Sequence, residues 1–257
     1  MQIARFSLEG GAIGFGIVDE DELVVLSGDP MFAGFDTTGD RVELGDVRLL
    51  APVIPRSKVV GIGRNYRDHA AELGNEVPEE PLVFLKPNTA VIGPEDAIPY
   101  PAQTEDLHFE GEVALVIGKV ARNVTSAAAG DVVFGITAAN DVTMRDRQRS
   151  DRQWARAKGF DASCPLGPVI QTEFDPESIR VQTRLDGKTV QDGTTADLVF
   201  DFGTLIEYVT SFMTLLPGDV ILTGTPAGVG PMEPGQTVEV EVEGVGTLTN
   251  RIVSQQP

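Results

Sequence analysis

The stretch LHFEGEVALVIGK, Leu107 to Lys119, places His108, Glu110 and Glu112 at every second position and follows them with an unbroken apolar run, Val113 to Ile117. Such a run reads as a buried strand. Residues two apart on a strand point to one side, so both carboxylates, and the imidazole if the strand extends that far, face one spot. Two acids sharing a spot call for a cation, although a Glu-x-Glu pair is also common on a solvated strand face. A third acid, Asp141, closes a second apolar strand, Val132 to Ala138 followed by Ala139-Asn140. It either caps a helix starting near Thr143 or joins the two glutamates. Glu110, Glu112 and Asp141 together form an all-oxygen donor set, which suits Mg²⁺, Mn²⁺ or Ca²⁺ and not zinc.

Other residues supply complementary chemistry. His69 and Glu72 lie three apart on a short helical pattern, Tyr66 to Leu73, with Asn65 as its expected N-cap, so they share a face. The pair is either a surface contact of no consequence or a base oriented by a carboxylate. From Arg145 to Lys158 six basic residues stand against two acidic ones. That segment is either a solvated helix face or a means of bringing positive charge to the acidic cluster. The loop GTPAGVG, Gly224 to Gly230, can turn backbone N–H groups towards an anion. It lacks the Gly-Lys-Ser/Thr ending of a nucleoside triphosphate loop. Gly61-Ile62-Gly63 is not a dinucleotide fingerprint, because Tyr66 occupies the third glycine position. Cys164, between Ser163 and Pro165, reads as a packed thiol.

The elements that must position these groups are mostly strands. Residues 1 to about 50 form short β runs separated by Gly10-Gly11 and Asp19-Glu20-Asp21, and two prolines near Ala51 to Pro55 mark a boundary. Strands are expected at Lys58 to Ile62 and Leu82 to Lys86. The breaker-rich GNEVPEEP, Gly74 to Pro81, is a plain connection or the end of a lid. Asp186-Gly187 predicts a tight hairpin between Ile179–Leu185 and Lys188–Val190. A helix is predicted over Leu205 to Leu216, ended by Pro217-Gly218. Thr237 to Glu243 alternates as a half-exposed strand.

Composition bounds the partners. The 257 residues carry 20 basic and 39 acidic side chains, a net charge of −19 that argues against nucleic acid or an anionic membrane. A small anionic substrate therefore needs a locally positive site. No run nears the length of a membrane span, the N-terminus has no secretory pattern, and the single cysteine excludes an internal disulfide; a cytoplasmic protein is expected.

Taken together, GIGRNYRDHAAELG (61–74), FLKP (84–87), FEGEVALVIGK (109–119), AANDVTMRD within 135–146, KGFDASCPLGP (158–168), QDGTTADLVF (191–200) and LLPGDVILTGTPAGVG (215–230) resemble the fumarylacetoacetate hydrolase family over roughly residues 58 to 250. The resemblance implies a mixed α/β, β-rich fold built on a β-sheet roll, with a small N-terminal β-rich domain (1–52) before a catalytic domain (53–257), assembled as a homodimer. It implies that Glu110, Glu112 and Asp141 ligate Mg²⁺ or Mn²⁺, and that Arg145, Gln148, Thr225 and Lys158 contact the carboxylate and oxo groups of a small 2-oxo acid. It also implies that His69 and Glu72 are a catalytic dyad on a closing segment, with Lys158 placing positive charge where negative charge develops. No role carries over to His108. The implied activity is C–C hydrolysis or decarboxylation of small 2-oxo dicarboxylates or acylpyruvates through a metal-bound enolate. The alternative is isomerisation of 5-carboxymethyl-2-hydroxymuconate or 2-hydroxyhepta-2,4-diene-1,7-dioate in aromatic catabolism. A non-catalytic 2-oxo acid binding protein is the alternative of another class; it would have no need of an oriented base.

Overall fold

The apolar run after Glu112 lies at the centre of the molecule. In the computed structural model, which describes residues 1–72, 74 and 76–254, the strand Gly111–Ile117 is buried along its whole length. It pairs antiparallel with Val133–Asn140 on one side and Val220–Leu222 on the other. Its alternate residues enter different cores: Val113, Leu115 and Ile117 join one apolar cluster, while Ala114 and Val116 join another. A strand covered on both faces has no polar positions in its interior, which is why the sequence shows a continuous apolar run rather than alternation.

These strands belong to a twelve-stranded sheet. Outwards from Val133–Asn140 it continues through Cys164–Gln171 to Gln2–Ser7, so the N-terminal strands extend the same sheet. In the other direction Val220–Leu222 pairs in parallel with Val59–Gly63, which pairs antiparallel with Leu82–Lys86. A five-stranded sheet covers the face of Val113 and Leu115 with Val181, Val240, Val242 and Leu248. Three short strands, Leu107–Phe109, Thr143–Met144 and Gly230–Pro231, form a third sheet. The result is the β-rich mixed fold expected. No helix among the described residues is long and apolar enough to cross a membrane.

Several boundaries differ from expectation for physical reasons. The chain leaves the small sheet at Phe109 and enters the large one at Gly111, so Glu110 stands at the junction rather than inside one continuous strand. Asn65 caps no helix; its side chain binds Phe200 and Thr223 backbone groups instead, and the helix is Arg67–Glu72. Leu73, the last residue of that expected helix, and Asn75 in the connection lie outside the described residues. The helix expected at Leu205 starts at Phe202, because the Asp201 carboxylate accepts from the N–H of Thr204, and it ends at Phe212. The hairpin turns at Asp186 and Gly187 with φ of 49° and 75°, as an Asp-Gly pair requires.

Gly111, between the two glutamates, is where the sheets come together. A Cβ there would lie 2.0 Å from Thr183 Oγ1, and its N–H donates to Gln191 Oε1 at 3.0 Å. Gly111→Ala is expected to cost about 1–3 kcal/mol through overpacking. A lower denaturant midpoint checks this, and an unchanged midpoint would mean the second sheet yields freely.

Candidate metal centre

Three elements deliver the acids. Glu112 projects from the second position of the central strand. Glu110 is held at the junction by its N–H to Asn140 Oδ1 at 2.9 Å and by its carbonyl, which accepts from the N–H of Asp141 at 2.8 Å. Asp141 follows the last residue of the neighbouring strand, and a two-residue strand, not a helix, comes next. It therefore caps nothing. All three carboxylates are buried, each offering an oxygen within 4.8 Å of the others'.

Burial of three acids is offset by cations from distant segments. Lys158 Nζ donates to Glu110 Oε2 at 2.7 Å and Asp141 Oδ2 at 2.6 Å. Arg145 donates to the other Glu110 oxygen. Lys86, fully buried, donates to Asp141 Oδ1 at 2.5 Å. The basic segment thus forms two short helices, Arg145–Ser150 and Ala155–Lys158, that each bury one cation at the acids. Arg149 and Arg156 turn instead to Asp106 and Asp151 at the surface.

Titration follows from this pairing. Burial raises the Glu110 carboxyl, but Lys158 and then Arg145 outweigh it and hold the group well below the usual carboxylate range. Glu112 has no ion pair among the described residues, accepting only from the N–H of Gly224 at 2.7 Å. Burial, followed by Asp141 and Glu110 close by, pushes its carboxyl well above the usual range. Burial alone would lower Lys158, yet Asp141 and Glu110 raise it. The donor set fits a hard divalent cation: the available donors are all oxygen, and one buried carboxylate lacks a counter-charge.

A cleft of about 440 Å³ opens above the acids. Glu110, Glu112, Arg145, Gln148, Lys158, Thr225 and His69 line it, with Ile62, Phe84 and Trp154 as an apolar wall. Asp141 lies at the cluster beneath, and Glu72 sits one turn beyond His69. The His69 Nδ1 to Glu72 Oε2 distance is 3.7 Å, an ion-pair separation without a hydrogen bond, and Nδ1 is buried without a partner. Glu72 instead accepts from the N–H of Gly228 at 3.1 Å. The glycine-rich loop therefore turns its N–H groups to the protein's own carboxylates, Glu112 and Glu72. Burial, the largest influence, lowers the His69 pKa.

Thr225 reaches the cleft with its hydroxyl occupied: it donates to the Gly111 carbonyl at 2.8 Å and accepts from Gln191 Nε2 at 2.7 Å. Gln148 Oε1 accepts from Arg145 at 2.7 Å, which orients its amide. His108 also lines the cleft, its Nε2 paired with Asp106 Oδ1 at 2.8 Å, and burial lowers its pKa. Cys164 is buried, its thiol pushed up to about 12 by desolvation, and it is inert at neutral pH. A larger cavity, about 550 Å³ beside the helix Phe202–Phe212, has no basic side chain in its lining.

Residues 58–253 match the family model described as fumarylacetoacetate (FAA) hydrolase, C-terminal. The chain belongs to the fumarylacetoacetate hydrolase family. Residues 1–52 match a separate model, Rv2993c-like, N-terminal. Protein Rv2993c of Mycobacterium tuberculosis is 52% identical over 219 residues, spanning 84% of this chain and 82% of that one. Oxaloacetate tautomerase YisK of Bacillus subtilis is 40% identical over 223 residues, 81% of this chain and 74% of its own. Among solved structures, 5-carboxymethyl-2-hydroxymuconate delta-isomerase from Mycobacterium smegmatis superposes with a TM-score of 0.92 at 45% identity, covering 99% of this chain and 100% of that one. The 2-hydroxyhepta-2,4-diene-1,7-dioate isomerase from Mycobacterium marinum does so with 0.91 at 42%, covering 100% of both. Three of these relatives, the tautomerase and the two isomerases, are named as enzymes.

Lys86, Gln191 and Asn140 support the site without having been singled out in the sequence. Lys86 had a signal, as a lysine ending an apolar strand in FLKP. Gln191 and Asn140 had none, because a buried amide announces itself only through what it binds.

Proposed function

We propose that this chain is a divalent-metal-dependent enzyme that transfers a proton at the carbon beside the keto group of a small 2-oxo dicarboxylate, as a keto–enol tautomerase or isomerase. The observation that carries this reading is His69, a base kept neutral by burial, on the same cleft as the carboxylate cluster. Relatives named as an oxaloacetate tautomerase and as two diacid isomerases support it.

Glu110, Glu112 and Asp141 would hold the cation. When bound, Mg²⁺ or Mn²⁺ supplies a Lewis acid that polarises the keto oxygen and acidifies the adjacent C–H. Lys158 adds a fixed positive charge beside developing negative charge, in a buried setting where it needs no reorganisation. Arg145, with its amide partner Gln148, offers donors to the substrate carboxylate. Thr225, its proton committed to Gly111, contributes an oriented oxygen and not a donor. His69 takes the proton from carbon and returns it to the product.

Charge supports a dianionic substrate. Lys86, Arg145 and Lys158 pair with Asp141 and Glu110 only, so a divalent cation at the cluster adds positive charge that an anionic substrate then offsets. C–C hydrolysis is the second reading. It is favoured by Glu72 at 3.7 Å from His69, a pair that closure would tighten into a dyad able to activate water.

The test is direct: incubation of metal-loaded protein with enol-oxaloacetate, acetylpyruvate and 5-carboxymethyl-2-hydroxymuconate, then with EDTA. Proton transfer predicts metal-dependent loss of enol absorbance without pyruvate, whereas cleavage predicts pyruvate. Tight binding with no turnover of any of them would overturn the assignment as an enzyme.

The pH profile follows from His69. Neutral imidazole is the active form, so activity is complete above its pKa and is lost as pH falls through it. Because burial lowers that pKa, the acid limb of kcat/KM is expected below the ordinary imidazole value of about 6.5. His69→Gln is expected to lose about 10²- to 10⁴-fold in kcat. An acid limb above pH 7, or one retained by the glutamine variant, would remove His69 from the role.

A further inference from the structure

Four cations line the cleft, and three are committed: Lys158 to Glu110 and Asp141, Arg145 to Glu110 and Gln148, and Arg149 to Asp106. The fourth, Arg64, is half-buried, and its guanidinium has no hydrogen bond or ion pair among the described residues.

Its backbone is anything but free. Arg64 follows the strand Val59–Gly63 and has φ of 59°, a left-handed conformation uncommon outside glycine and asparagine. The next residue, Asn65, is fully buried and clamps the turn. Its side chain donates to Phe200 O at 3.0 Å and Thr223 O at 2.8 Å and accepts from Phe200 N at 2.8 Å, while its carbonyl accepts from Val199 N at 2.8 Å. On the other side Gly63 lies so close to Trp154 that a Cβ would meet the indole at 3.0 Å. Non-glycine residues held in this region persist where the surroundings over-determine them, and they cluster at binding sites.

We infer that Arg64 is the specificity-determining residue of this cleft: its guanidinium receives the distal carboxylate of a 2-oxo diacid whose 2-oxo acid end lies at the acidic cluster. This rests on the functional reading above. Arg145 and Lys158 are already neutralised by Glu110 and Asp141, which leaves Arg64 as the cleft's unmatched positive charge for a second carboxylate. The guanidinium fork suits a bidentate carboxylate, and the clamped turn limits the backbone entropy lost on binding. Ile62, Phe84 and Trp154 line the same cleft and suit a short hydrocarbon linker.

The experiment is calorimetric titration of the Mn²⁺-loaded full chain with two pairs of ligands, oxaloacetate against 2-oxobutyrate and 2-oxoglutarate against 2-oxopentanoate. Within each pair a methyl group replaces the distal carboxylate. Wild type is expected to favour the diacid of at least one pair by about 10- to 100-fold. Arg64→Gln should bring that ratio close to one and Arg64→Lys should keep part of it, with affinity for the monoacids unchanged in both. Arg64→Gly, which suits the positive φ, gives the same loss without a folding penalty, and retained Mn²⁺ binding confirms an intact cluster. No diacid preference in wild type, or a preference that survives Arg64→Gln and Arg64→Gly, overturns the inference and leaves 2-oxo acid binding standing. Binding of none of the four ligands by wild type overturns the functional reading itself, and the role of Arg64 with it.

Discussion

Asp141→Asn and Glu112→Gln are expected to abolish metal binding alike while moving the stability of the metal-free protein in opposite directions. Each removes one of the three oxygen donors proposed to hold the cation, so divalent affinity should fall by at least about 10²-fold, and turnover with it. The difference lies in what is left behind. Asp141 is the carboxylate shared by Lys86 and Lys158, and both lysines are buried. Its loss strands positive charge in the interior, at about 3–5 kcal/mol. Glu112 has no such partner, and burial holds its carboxyl well above the usual range. A raised carboxyl pKa means that the folded state retains the proton more tightly than the unfolded chain does. Above the unfolded pKa, near 4.5, ionisation therefore penalises the fold. At neutral pH an isosteric amide removes that penalty. Thermal unfolding in EDTA should show a lower Tm for Asp141→Asn and a higher one for Glu112→Gln, with calorimetric titration of Mn²⁺ flat for both. A variant that bound Mn²⁺ as wild type does would remove that residue from the ligand set.

Lys158→Met should separate catalysis from metal binding. The ammonium bridges Glu110 and Asp141 and lies 4.9 Å from the centre of the Phe84 ring. Removing it deletes the positive charge proposed to face the developing negative charge, with an expected loss of about 10²- to 10³-fold in kcat. The same change frees two carboxylate oxygens that the lysine now occupies, so Mn²⁺ should bind at least as tightly as before. Methionine fills most of the volume, which limits the cavity contribution. A kcat within a few-fold of wild type, measured at saturating metal, would show that Lys158 is only the structural counter-ion of the acids. Lys86 serves as the comparison. It touches Asp141 and the Val142 carbonyl but does not line the cleft, so Lys86→Met should act on stability and metal affinity more than on kcat.

A good part of this is legible in the amino-acid sequence. The apolar run Val113 to Ile117 announces a buried strand because both its faces are covered. The spacing of Glu110 and Glu112 places them on one side even though the strand breaks at Glu110. The reversal of charge from Arg145 to Lys158 marks positive charge bound for an acidic site. Asp-Gly at 186–187 announces its hairpin, since few other pairs adopt two successive positive φ angles. The family motifs supply the mixed β-rich architecture.

What the sequence by itself determined is therefore the inventory: which donors exist, that they are oxygen, that a locally basic segment accompanies them, and that strands carry them. Only the tertiary structure decided the pairing. Lys86, Glu110, Asp141 and Lys158 converge from four separate segments, and no local spacing encodes a contact between residues 55 or 48 positions apart. Asn65 commits its side chain to backbone carbonyls of Phe200 and Thr223, more than a hundred residues away, instead of capping a helix. Whether Asp141 caps a helix or faces its fellow acids depends on the lysines that reach it, and those arrive only when the sheet closes. The protonation of Glu112 and His69 depends in the same way on burial and neighbours. The short-range rules of helix and strand act on adjacent residues, whereas charge and desolvation act through space, and space is arranged only by folding.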